Sequence, residues 1–369
     1  MTARFTPVFA VMLMLAVASC SMPESDTPKV RPYDPCLDSW RTASWIPFCV
    51  ADTITGFAYG NGRYVAVSST GRIGWSGDGD RWFLAEITSP MSNFNSVVFG
   101  NGVFVAVGNG GRFANSLDGE RWVARDSMNG FDGYDITGVA WGAGNFVAVG
   151  GRRRMPMQGG GYSPGSPRIA YSATGIDWSG GIPWGFVPER LNDVAFGDGR
   201  FFVVGDRGNR GWSRNPVAGW QHRGPAAPIH SQDITRVAVG SYGPGTGVGV
   251  VFGDGRTAIA TNPEAFADWD ADLRTFLFYL PPIPQTPWNR PRAEMIGITY
   301  AAGYFVTAGT GAMIGWWPSA EPSRISERFW RALTFPEFML WEITTVAALN
   351  GRFFVGNVGG RIAHSGGAN

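Results

Sequence analysis

Short apolar runs come in pairs along most of the chain, each pair split by a glycine-flanked tripeptide. Ile54-Thr-Gly-Phe-Ala-Tyr-Gly-Asn-Gly-Arg-Tyr-Val-Ala-Val67 is the first pair, and residues 95–108 form the second around another Gly-Asn-Gly. A run that is apolar at every position, such as Val97-Val98-Phe99, suits a strand covered on both faces. Asn-Gly supplies the positive-φ residues that a tight hairpin needs. A shorter, mixed run follows each pair: Gly71-Arg-Ile-Gly-Trp-Ser76 and Gly111-Arg-Phe-Ala-Asn-Ser116. A Trp comes next, Trp82 or Trp122, and a last strand is predicted after it. Each unit therefore predicts four antiparallel strands.

The unit recurs roughly every 40–55 residues. Later copies occupy 136–178, 191–220, 234–269 (degenerate), 296–330 and 343–365. Radially repeated sheets of this size build a β-propeller. The expected fold is all-β, a seven-bladed β-propeller of four-stranded antiparallel blades. An open solenoid would need polar capping repeats, and none is visible. The seventh unit stops before its Trp, while Trp45 stands unclaimed ahead of the first unit. Residues 45–50 are expected to form the outer strand of the last blade, closing the ring and removing exposed edges.

Composition supports this picture. The 53 glycines mark many tight turns, and the 16 tryptophans offer bulk for many small cores. The formal net charge of +1 carries no nucleic-acid signature. Lys29 is the only lysine, so the other cations are arginines, planar forks suited to carboxylates and phosphates.

The head of the chain reads as a targeting segment. Arg4 precedes the apolar stretch 8–17, and Val17-Ala18-Ser19-Cys20 resembles a lipobox with Cys20 as the lipidated residue. The expected organisation is a signal peptide over 1–19, a lipidated tether over 20–35 and the propeller over 36–369. An ordinary secretory peptide cut after Ser19 is the alternative. Ser21 points to the outer membrane, facing the periplasm, with the cell surface as a second location. In that oxidising setting Cys36 and Cys49 are expected to pair, closing a short loop that contributes roughly 3 kcal/mol. A redox-active pair is the alternative, but the spacing is far from C-x-x-C.

Ser76-Gly-Asp-Gly-Asp-Arg-Trp82 and Ser116-Leu-Asp-Gly-Glu-Arg-Trp122 resemble Asp-box (BNR) motifs with one residue fewer between Asp and Gly, and Ser172-Ala-Thr-Gly-Ile-Asp-Trp178 is a looser copy. The resemblance implies a folding role: Asp78 and Asp118 bond turn amides, and Trp82, Trp122 and Trp178 pack between blades. Sialidases of that superfamily use three arginines on a substrate carboxylate, a Tyr–Glu pair and an Asp. Arg72-Ile73, Arg168-Ile169 and Arg361-Ile362 lack the following Pro of the sialidase motif, and no Tyr–Glu pair can be assigned. The pattern is more similar to the photosystem II assembly-factor propellers, which are non-catalytic and bind polypeptide segments.

The position opening the third strand is Arg in six of seven units: Arg72, Arg112, Arg168, Arg210, Arg256 and Arg361, with Met313 in the sixth. These arginines either pair locally or form a cationic ring for an anionic partner. Two insertions are expected on the same face. One carries Arg152, Arg153 and Arg154; the other, Pro-rich and apolar, runs from Phe276 to Trp288. Arg beside aromatic residues is the composition of a protein-binding hot spot. His222, His230 and His364 show no metal-ligand spacing. No catalytic residue, cofactor or metal is assigned.

The expected function is a non-catalytic scaffold, monomeric and membrane-bound through its lipid. It would hold an envelope protein or acidic polymer, and not nucleic acid. A polysaccharide-active hydrolase or lyase and a carbohydrate-binding propeller are the alternatives. Three converging arginines beside carboxylates at the channel mouth would favour the hydrolase.

Overall fold

The computed structural model describes residues 41–43, 48, 51–131, 133–183, 185–223, 232–242, 245–260, 274–276, 294–301, 303–310, 313–318, 333–334 and 342–366. They all belong to one compact unit that begins at Pro35. The signal-peptide and tether expectations, with Cys20, Cys36, Cys49, His230 and Trp288, lie outside the described residues, as does Met313's side chain.

Seven sheets make up the fold, a seven-bladed β-propeller of antiparallel blades, with Glu86–Ile87 added to blade 2 as a fifth strand, parallel to Arg121–Arg125. In blade 1 the order from the axis outward is Ile54–Gly60, Arg63–Ser68, Ile73–Ser76 and Phe83–Leu84. Blade 3 repeats it with Asp135–Gly142, Asn145–Arg152, Ser166–Ser172 and Ser179–Gly181; blade 4 with Leu191–Gly197, Arg200–Gly205, Arg210–Ser213 and Gln221–Arg223. The second strands are buried along nearly their whole length, as the unbroken apolar runs require. Hairpins join first to second strands through left-handed pairs such as Asn61 (φ 47°) and Gly62 (φ 73°), the geometry that matches strand twist. In blade 5 the fourth strand is Arg274–Phe276, so Phe276 belongs to the blade and not to the insertion after it.

Neighbouring blades meet closely at the glycine ending the first strand of blades 1, 2 and 3. A Cβ on Gly60 would lie 2.1 Å from the Phe99 ring, one on Gly100 2.2 Å from Trp141 and one on Gly142 2.0 Å from Phe196. Each aromatic ring of one blade therefore rests on the bare backbone of the preceding one.

The ring closes as a splice of both ends, but the register differs from expectation. The outer strand of blade 7 is Arg41–Thr42, paired antiparallel with Ile362–His364 as Arg41↔His364 and Thr42↔Ala363. Ala43 N donates to Ile362 O at 3.0 Å. The closing strand thus lies ahead of residues 45–50. The repeat explains why: in blades 1, 3 and 4 the fourth strand follows its Trp directly, as Phe83–Leu84 follows Trp82. Trp40, immediately before Arg41, therefore holds the repeat position rather than Trp45. The seam buries Ala43, Ile54, Phe57, Tyr64, Trp82, Phe354 and Ile362 in one cluster. Thr344 Oγ1 donates to Ile54 O across it at 2.6 Å. His364 Nε2 lies 3.0 Å from Asp80 Oδ1.

Candidate functional site

Antiparallel blades place the first-to-second and third-to-fourth hairpins at one end of the propeller. The second-to-third loops and the connections to the next blade lie at the other, which we term the entry face.

At the hairpin end, the Ser-x-Asp turns act as folding devices. Ser76 Oγ accepts from Gly79 N at 2.8 Å, and Asp78 Oδ1 accepts from Asp80 N and Arg81 N at 2.8 Å each. Ser116 and Asp118 repeat every one of these bonds. Burial pushes the Asp78 and Asp118 carboxyls up, but the turn N–H groups and the serine hydroxyl outweigh it and hold both below their ordinary value. In the third copy Ser172 Oγ takes the Gly175 N–H and Thr174 replaces the Asp. Trp82, Trp122 and Trp178 are buried, each indole N–H on the carbonyl of the turn glycine at 2.8, 2.9 and 3.3 Å. Trp82 packs edge-on against Phe354 of blade 7, so these rings do sit between blades.

The entry face gathers the arginines, and most are held locally. Arg72 pairs with buried Asp52 at 3.7 Å, and Arg112 with Asp126 at 3.3 Å. Arg168 stacks 4.2 Å above the Tyr134 ring, and Arg256 bonds Asp254 at 2.7 Å. Arg210 is only 2% exposed and donates to Gly208 O, so it offers no guanidinium to solvent. Arg361 is exposed. The triplet behaves differently, because Arg152 ends the second strand of blade 3 and Arg153 and Arg154 open the loop that leads to the third. Arg154 approaches Glu189 at 3.6 Å and stacks on Tyr162. Arg152 lies 5.9 Å from Tyr134. Arg153 reaches across to the next blades, 3.3 Å from Asp206 and 3.7 Å from Asp233.

A polar cavity of about 400 Å³ opens at the axis there, lined among others by Arg153, Arg190, Arg236 and Asp135. A second cavity of about 540 Å³ shares Asp135, Arg153 and Arg190 and adds Arg152, Tyr134 and Met155. Three arginines thus converge beside a carboxylate, but each is already engaged. Arg190 donates to Asn192 Oδ1 at 3.0 Å and lies 3.8 Å from Asp206. Arg236 donates to Thr235 O at 2.8 Å. Burial lowers Arg190, opposed by Asp206; burial raises Glu189, opposed by Arg154 and Arg207.

The cavity floor is a feature the sequence reading missed. In six blades the first strand carries a register shift near its start, at Thr55, Thr137, Asn192, Thr235, Ile296 and Thr344. Such bulges re-aim a side chain. Here several polar ones turn toward the axis and tie blade to blade. Thr55 Oγ1 donates to Phe94 O, Asn95 Nδ2 to Ile136 O, Thr137 Oγ1 to Leu191 O and Asn192 Nδ2 to Ile234 O, at 2.8–2.9 Å. A polar residue recurring second in otherwise apolar runs was the available signal. Among the described residues no group of His, Cys, Asp and Glu is placed to hold a metal.

No family model and no curated protein matches this chain. Solved structures do match in fold. A structure of YCF48 bound to a D1 peptide superposes with a TM-score of 0.61 at 11% identity, covering 91% of this chain and 96% of that one. YCF48 from Cyanidioschyzon merolae gives 0.56 at 12% identity, with 88% and 98% covered. The WD40 propeller domain of Doa1 gives 0.58 at 12% identity, with 90% and 98% covered. At these identities the likeness is one of fold.

Proposed function

We propose that this chain is a non-catalytic binding protein, an Asp-box-type propeller lipid-anchored in a bacterial envelope. It holds a polypeptide with acidic groups at the entry-face mouth of its axis. The carrying observation is the axial cavity, where Arg153, Arg190 and Arg236 converge among polar walls under the loop of the arginine triplet. Arginine forks recognise carboxylates with geometric specificity. The exposed Met155, Met157 and Tyr162 of that loop add apolar contact surface beside the charge. That a YCF48 propeller of the same architecture was solved with a D1 peptide supports a polypeptide ligand. The lipobox-like Val17-Ala18-Ser19-Cys20 supports the anchor.

Crosslinked capture from envelopes tests this reading, comparing the wild type with Arg152→Ala, Arg153→Ala and Arg154→Ala combined. Loss of one or a few defined polypeptides from the captured set is expected. An unchanged set removes the triplet as a contact. Incorporation of radiolabelled palmitate, abolished by Cys20→Ala, is expected if the chain is anchored.

One observation favours a second reading. Three arginines lining one cavity with Asp135 resemble the arrangement by which sialidases hold a carboxylate. Turnover of a fluorogenic sialoside, lost in Arg190→Gln, would establish it over the binding role. Among the described residues lining the two cavities there is no Glu for a Tyr–Glu pair, which weighs against it.

A further inference from the structure

Blades 2 and 4 contain the same device with different charge. In blade 2, Asn95 Nδ2 donates to Asn109 Oδ1 at 2.9 Å, and Gly110 N donates to Asp135 Oδ1 at 3.0 Å. In blade 4, Asn192 Nδ2 donates to Asp206 Oδ1 at 2.8 Å, and Arg207 N donates to Asp233 Oδ1 at 2.9 Å. The turn is the same short helical one, with its middle residue left-handed: Gly110 at φ 68° in one, Arg207 at φ 52° in the other. Blade 2 shows that the fold requires only an oxygen acceptor at the first position and a residue tolerant of positive φ at the second. Blade 4 instead places a carboxylate there and accepts the strain of a left-handed Arg. The turn of blade 4 therefore needs the oxygen of Asp206 but not its charge.

That charge acts on two guanidinia, Arg190 at 3.8 Å and the more exposed Arg153. Asp206 Oδ2 lies 3.3 Å from Arg153 Nε and its Oδ1 3.4 Å from Nη2, so the carboxylate takes one edge of the fork. Asp206 is nearly enclosed, with 7% of its side chain exposed, whereas that of Arg153 is 50% exposed. Asp233 approaches Arg153 Nη2 at 3.7 Å, and its own side chain is 38% exposed. One partner is fixed and inward; the other is looser and faces the solvent.

We propose that Asp206 is a positioning residue that presents Arg153 at the mouth, and that Asp233 is an intramolecular stand-in for a ligand carboxylate. An incoming glutamate, aspartate or C-terminal carboxylate displaces Asp233 from Nη2 while Asp206 keeps the guanidinium in place. Asp233 thereby sets the affinity threshold and rejects uncharged peptides. This inference rests on the proposed polypeptide-binding role of the mouth.

The substitutions are close to isosteric, and blade 2 supplies the precedent for one of them. Asp206→Asn installs the residue type of Asn109, and Asp233→Asn keeps an oxygen for the Arg207 N–H. The probe is a fluorescein-labelled oligoglutamate peptide, followed by anisotropy at low salt on the full-length chain in detergent. An oligoglutamine peptide with an amidated end is the control, and thermal melts confirm folding. A half-exposed ion pair contributes up to about 1 kcal/mol, so its removal is expected to tighten binding about fivefold in Asp233→Asn. Arg153→Gln is expected to weaken binding, and Asp206→Asn to weaken it in a variant that the thermal melt shows to be folded. If Arg153→Gln weakens binding but Asp233→Asn leaves it unchanged or weaker, the stand-in role is overturned and the binding role survives. If Arg153→Gln has no effect, or wild type and Asp233→Asn both ignore the peptide, the acidic-peptide reading of the mouth fails and this inference with it.

Discussion

Trp82→Ala tests whether the seam between blades 7 and 1 is the closure of the ring. Trp82 is fully buried, packs at 6.3 Å from Phe57 of its own blade and at 6.4 Å from Phe354 of blade 7. It shares a cluster with Ala43 and Ile362, the residues next to and within the closing strand pair. Truncating a buried Trp to Ala costs about 3–5 kcal/mol in lost burial and cavity. The Gly79 carbonyl also loses its indole donor, about 1 kcal/mol more. The expected loss is about 4–6 kcal/mol, read by urea unfolding followed in the far-ultraviolet. Trp122→Ala is the matched control, because Trp122 makes the same turn bond and is equally buried, but at the seam of blades 1 and 2. Both variants should lose similar global stability. Only Trp82→Ala should release Thr42 and Ala43 to fast hydrogen exchange, because only it loosens the sheet that two distant parts of the chain share. Equal exchange in the two variants would refute the seam as the closure, and a loss under about 1 kcal/mol would refute the packing argument itself.

Two further outcomes follow from the same geometry. Gly100→Ala would drive a Cβ to 2.2 Å from Trp141, whereas a Cβ on Gly77 meets nothing within 4 Å. Denaturant titration should show a loss of about 1–3 kcal/mol for the first and little change for Gly77→Ala. Asp118 has a folded carboxyl held below its ordinary value of 3.8 by the turn N–H groups, acting against burial. Its contribution is therefore complete above the unfolded pKa and is lost as pH falls through the depressed folded value. Asp118→Asn retains an acceptor for both amides, so the acid side of its pH–stability curve should be flatter than that of the wild type, and parallel curves would refute the assignment.

The architecture was legible because paired continuous apolar runs, tight-turn glycines and a repeated Trp all report one local object, the blade. Local objects leave local signatures. The closing strand was legible in kind but misplaced, since Trp45 drew attention while Trp40 holds the register that Trp82 holds before Phe83. The triplet 152–154 was also visible, as charge in an overlong loop. Arg190 and Arg236 were not, because each stands alone in its own unit and only the ring brings them beside Arg153. Most of the arginines that did repeat turned out to be locally satisfied, Arg210 most of all.

In a repeat protein the informative residue is thus one that departs from its counterparts in the other blades. Position by position, Asp206 departs from Asn109 and Arg207 from Gly110, while Asp233 and Asp135 agree. What seven blades share is what a blade needs in order to fold. The turn at Asn109 shows that an uncharged oxygen suffices to hold the neighbouring Asn, so the negative charge in blade 4 answers to something other than the turn. The side chains it meets are Arg190, at 3.8 Å, and Arg153 of the inserted loop of blade 3, at 3.3 Å.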